Sequence, residues 1–158
     1  MKMKFPFSLL ALALVVSLAS CDKDDPKKKS EEQQQLEKLT STWTIQSAVN
    51  DGEDRTEEFD GFTLTLGGSY AENNTYNYSV EGLRPNPSPW PASGTWKFGT
   101  NKTTEIIRDP ATDSEISVAY QVTDSQLTLY FEVPDAGGWP GTGRIEAVSG
   151  DWVFTLTK

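Results

Sequence analysis

The chain predicts an all-β protein, an eight-stranded antiparallel up-and-down barrel preceded by a short helix, with a β-sandwich as the alternative. Three observations lead there. From Thr42 onward, apolar residues recur with period two in eight separate segments. Short turn-forming stretches divide those segments, and no helical pattern lies between them. A tryptophan opens both the first and the last segment, as expected if these two strands pair with each other. Connections this short leave antiparallel neighbours, and a meander of eight strands hides its edges most simply by closing.

Ahead of the strands, Lys2 and Lys4 precede an apolar run from Phe5 to Leu18, broken only by Pro6, Ser8 and Ser17. This is the layout of a secretory signal peptide. The run is shorter than the roughly 20 apolar residues of a membrane span. Leu18 is also too large for the small residue that an ordinary cleavage site needs at that position. Leu18-Ala19-Ser20-Cys21 resembles the lipobox of bacterial lipoprotein signals. The resemblance implies a diacylglycerol on the sulfur of Cys21 and cleavage that leaves Cys21 first. One acyl chain binds a membrane only marginally, whereas the two or more of such a lipoprotein anchor it stably. Cys21 is the single cysteine, so no intramolecular disulfide can form, which fits an oxidising compartment.

After it, Lys23-Asp24-Asp25 resembles the export signal of Bacteroidota surface lipoproteins. That implies the outer face of the outer membrane. Asp22, read by the sorting rule of enteric bacteria, would instead favour the inner membrane, so a periplasm-facing anchor is the alternative. The expected organisation is a signal over 1–20, a lipidated cysteine and tether over 21–38, and the barrel over 39–158. Asp22 to Ser30 is charged, holds Pro26 and Lys27-Lys28-Lys29, and cannot bury enough apolar surface to fold. Glu31 to Leu39 is built of helix formers, with Ser30 as N-cap and acidic residues in the first turn. Leu36 and Leu39, three apart, would seat that helix.

The strand segments follow in order. Trp43, Ile45 and Val49 come first, with Ser47 interrupting their apolar face. Next are Phe62, Leu64 and Leu66, then Tyr76, Tyr78 and Val80, and then Trp96 and Phe98. Ile106-Ile107 is short. Ile116 to Val122 and Leu127 to Val133 alternate cleanly, and Trp152, Phe154 and Leu156 close the set. Gly67-Gly68 and Thr123-Asp124-Ser125 read as tight turns, and Thr100 to Lys102 and Pro110 to Asp113 as longer ones.

Trp43, Trp96 and Trp152 share one local pattern, a small residue two before and an apolar residue two after. Leu39-Thr40-Ser41-Thr42-Trp43 resembles the Leu-x-Gly-x-Trp opening of lipocalin-like domains, with Ser41 in place of glycine. Ser93-Gly94-Thr95-Trp96 and Gly150-Asp151-Trp152-Val153-Phe154 resemble lipocalin-like lipoproteins of the Bacteroidota. The resemblance implies that Trp43 plugs a closed barrel end and that the open mouth holds a small apolar ligand. All three tryptophans are expected to be structural.

Charge and composition narrow the function. Removal of residues 1–20 leaves 138 residues with 12 basic and 23 acidic side chains, a net charge of −11. Nucleic acid is excluded as a partner, because phosphate binding needs clustered cations. Anionic glycans are disfavoured on the same ground, while neutral glycans, apolar molecules and proteins remain open. The chain has no histidine and only Cys21, which removes Ser-His and Cys-His nucleophiles and the usual zinc sites. No catalytic residue, cofactor or metal is expected, and the protein is not expected to be an enzyme. The acidic loop Asp51 to Asp60 offers oxygen ligands for calcium but lacks the regular Asp-x-Asp-x-Asp-Gly spacing.

Two further tryptophans sit among prolines and glycines, where regular strand is unavailable. Trp90 lies in Pro85 to Pro91 and Trp139 in Gly137 to Gly141. Each is a candidate contact for a ligand or partner, or folds back over the barrel mouth. Two functions follow. One is a lipocalin-like barrel that binds a small apolar or amphiphilic ligand. The other is a solid barrel that contacts a neutral glycan or a membrane-protein partner through these loop tryptophans.

Overall fold

The computed structural model describes residues 28–71, 74–134 and 148–158. Cys21, Lys23, Asp24, Asp25 and Trp139 lie outside the described residues. The described chain is a closed eight-stranded antiparallel barrel with one additional two-residue strand and one short helix on its N-terminal side.

Helix α1 spans Glu31–Leu39. Ser30 Oγ caps it by accepting from the Gln33 N–H at 3.2 Å, and Glu31 and Glu32 complement the partial positive charge of the first turn. Its buried side is Leu36 and Leu39, spaced to share one face of the helix. Glu32 is also buried, beside Lys102, with which it forms an ion pair. The helix therefore packs on the barrel along its length.

Strand β1 (Ser41–Asn50) carries the closure. Its first residues pair with β3 (Thr63–Leu66), and from Thr44 onward it pairs with β9 (Gly150–Thr157). Between them β4 (Tyr76–Glu81), β5 (Ser93–Phe98), β6 (Glu105–Arg108), β7 (Ile116–Val122) and β8 (Gln126–Val133) follow in sequence order, each beside its neighbour. The two-residue β2 (Glu53–Asp54) folds back on Val49 and Asn50.

A bulge in β1 shifts the register between Ile45 and Ser47. One extra residue changes which side chains face inward. Trp43 faces the core before the bulge, and Ala48 and Asn50 do so after it. The inward position expected for Val49 is thus taken by Ala48, and the polar Ser47 falls where the phase changes.

The antiparallel order gives the barrel two distinct ends. α1, residues 67–71 and 74–75, the turns at 99–104 and 123–125, and Lys158 gather at one. β2, the 3-10 turn Thr56–Phe59 and the connections at 82–92 and 109–115 gather at the other, which we call the mouth. Trp43 Nε1 donates to Leu39 O at 2.9 Å near the helix end, and Trp152 Nε1 donates to Val148 O at 2.8 Å near the mouth. Both indoles use a carbonyl four residues upstream. Trp43, Trp96 and Trp152 are all buried.

Candidate functional site

The barrel interior is filled by aromatic rings in edge-to-face contact. Phe154 lies 5.1 Å from Phe59, 5.7 Å from Phe62, 5.2 Å from Phe131 and 5.7 Å from Trp152, measured between ring centres. Phe59 enters from the 3-10 turn within the acidic loop. Nothing in its acidic surroundings marks it as core, because the stretch has no strand period.

Trp90 is part of this cluster. Its ring is fully buried, 5.8 Å from Tyr78 and 5.2 Å from Phe131. The segment that carries it turns inward on Ser88, whose hydroxyl donates to Trp90 O at 2.7 Å and accepts from Trp90 N–H at 3.2 Å. A surface contact through this ring, one of the two roles read from the sequence, is therefore not available in this conformation. The physical reason is the chain direction: Pro85 to Pro91 folds back over the mouth and places its aromatic residue inside.

Below Trp90 sits Arg108, also fully buried. The alternation of β6 places Ile106 and Arg108 inward on the same face. The Arg108 guanidinium lies 4.9 Å from the Trp90 ring centre, an attraction between the cation and the negative ring face. Arg108 Nη1 donates to Pro89 O at 2.8 Å. Arg108 Nε stands 3.3 Å from Asp109 Oδ2.

Asp109 in turn accepts from the Tyr78 hydroxyl at 2.8 Å and from the Thr95 N–H at 3.0 Å. Burial pushes the Tyr78 phenol well above its ordinary range and lowers Arg108, with the neighbouring Asp109 carboxylate opposing that lowering. Gly94 makes room for this arrangement: a Cβ there would overlap the Asp109 carboxylate and the Tyr78 hydroxyl. That accounts for the glycine of Ser93-Gly94-Thr95-Trp96. Two buried donors, Trp90 Nε1 and Trp96 Nε1, have no hydrogen-bond partner among the described residues.

The outer side of the Trp90 segment is open. Residues 82–88 and 91–92 line a surface cleft of about 560 Å³. Leu83 is 61% exposed beside it, and its N–H donates to Asp60 O at 3.0 Å, which fixes the segment against the acidic loop.

The acidic loop itself is internally engaged. Asp51 Oδ1 accepts from the Asp151 N–H at 2.9 Å. Asp54 Oδ1 accepts from the backbone N–H and the hydroxyl of Thr56, at 2.9 and 2.6 Å. Glu58 pairs with Arg55. Among the described residues no three carboxylates converge as a metal site, and no helix is long and apolar enough to cross a membrane.

No family model matches the chain, and no curated protein or solved structure is significantly similar to it. The barrel architecture is compatible with a lipocalin-like ligand-binding domain.

Proposed function

We propose that the chain is a lipid-anchored outer-membrane lipoprotein with a lipocalin-like barrel, displayed on the cell surface. In this reading the barrel is a solid binding module that contacts a protein partner through the outer face of the Gly82–Ala92 segment. The observation that carries it is the pairing of a plugged interior with an open exterior on one segment. Trp90 fills the mouth from inside, while Leu83 and the prolines around the cleft present apolar surface outside. A neutral glycan is less well served, because stacking on a sugar needs an exposed ring and the Trp90 ring is enclosed.

The test is a photo-reactive amino acid at Leu83 in the intact protein in its host, with Tyr130 on the barrel wall as the control position. A discrete cross-linked species at position 83 and none at 130 supports the reading. Equal or no cross-linking at both positions overturns it.

A second reading is a small amphiphilic ligand held inside the barrel. The unpartnered indole N–H groups of Trp90 and Trp96 favour it, because a guest bearing an acceptor oxygen would satisfy buried donors that are costly to leave unmade. Such a guest must displace the Trp90 ring.

A further inference from the structure

Charge is divided along the barrel axis. Every described lysine lies in the helix half, where the described carboxylates are Glu31, Glu32, Glu37, Glu105 and Asp124. These six lysines and five carboxylates nearly cancel. Among the described residues the mouth half carries eleven exposed or half-exposed carboxylates against Arg55 and Arg84, with Arg108 and Asp109 paired inside. The described part of the domain is thus close to neutral at one end and strongly negative at the other.

The chain enters the barrel at the near-neutral end. Ser30, the helix cap, lies nine positions after Cys21, a run of nine residues counted from Asp22 through the cap. Fully extended they reach about 30 Å, comparable with the length of an eight-residue strand such as β8, about 27 Å. A tether of that length permits either end of the barrel to approach the surface it is anchored to. Its length alone does not choose between them. Charge does: the mouth is repelled by an anionic surface, whereas the helix end brings lysines within the ~8 Å over which such charges act at physiological salt.

We infer that the helix end of the barrel is a docking face for an anionic lipid surface, which turns the acidic mouth and the Gly82–Ala92 segment away from the membrane. The inference rests on the anchor at Cys21 proposed above. Its occupant is the phosphate-bearing head-group layer, and the contact is made by exposed lysines on and around α1, such as Lys28, Lys38 and Lys97. A partner of the mouth would then approach from the surrounding medium.

Residues 21–158 retain every described residue and can be coupled through the Cys21 thiol to a maleimide lipid in nanodiscs, which tests orientation whether or not the host lipidates Cys21. Mass spectrometry of the protein from its host tests the anchor separately. Nanodiscs containing phosphatidylglycerol and a gadolinium-chelating lipid broaden the amide signals nearest the bilayer. Broadening at 99–104 and 123–125 several-fold greater than at 109–115, reduced by Lys38→Glu with Lys97→Glu, is the expected result. Equal broadening at both ends, or a reversed bias, overturns the inference. A bias of the same size in nanodiscs of phosphatidylcholine alone also overturns it, because the tether and not charge would then set the orientation.

Discussion

The Arg108 guanidinium lies 4.9 Å from the centre of the Trp90 ring, and both side chains are fully enclosed by the barrel. A buried cation is expensive unless it is paired and hydrogen-bonded, and here Asp109, the Pro89 carbonyl and the ring face share that task. The same guanidinium holds the segment that plugs the mouth, so the charge network and the plug stand or fall together.

Breaking the network from its anionic side is the more damaging change. Asp109→Ala removes the carboxylate beside the buried Arg108 guanidinium, which costs on the order of 3–5 kcal/mol. Arg108→Met leaves Asp109 with its bonds from Tyr78 and Thr95 and costs less. Urea unfolding of the two variants checks the order. Equal losses would show that the pair carries no such asymmetry.

Trp90→Ala empties the mouth. Truncation of a buried Trp costs about 3–5 kcal/mol, read as a lower urea midpoint. The cavity is lined by Tyr78, Phe131 and Phe154, so added indole is expected to bind there and recover part of the loss. A variant as stable as the parent would mean that the ring is not packed as described.

Gly94→Ala places a methyl group against Asp109 and Tyr78. Overpacking of this kind costs about 1–3 kcal/mol, and here it strikes the charge network as well. Thermal unfolding checks it, with Gly67→Ala as the control, since a Cβ at Gly67 makes ordinary contact only.

Much of this was legible in the chain. Most of the barrel strands follow from alternation, β6 only from the short Ile106-Ile107 pair, and the Ser30 cap and the Leu36–Leu39 face of α1 were readable from residue type and spacing. Four features were not. Arg108 carries a charge, and a charge beside Ile106-Ile107 reads as surface; only the pleat of β6 shows that it points inward. Phe59 sits among acidic residues in a turn without period. The bulge in β1 has no residue signature beyond Ser47, so the switch from Val49 to Ala48 needed the pairing with β9. The direction of Trp90 is not readable, because a proline-rich segment has no periodicity to say which way its aromatic residue turns.

Alkaline pH is expected to destabilise the barrel through Tyr78. Burial raises its phenol above the ordinary value of 10.0 in the folded protein, so the native state holds that proton more tightly than the unfolded chain. The contribution is therefore complete below pH 10 and is lost as pH rises beyond it. Tyr120 shifts in the same direction, also by burial. Urea midpoints between pH 8 and 12 should fall above about 10, and Tyr78→Phe should flatten that fall. An unchanged slope in the variant would remove Tyr78 as the cause.

The proposed function requires a solid barrel that works from its outside. Native mass spectrometry of the domain purified from its own type of host, and again after incubation with host lipid extract, tests it most directly. A solid barrel gives the bare chain mass in both samples. A retained small-molecule mass that disappears on denaturation would contradict it and make the barrel a ligand carrier whose mouth is gated by Trp90.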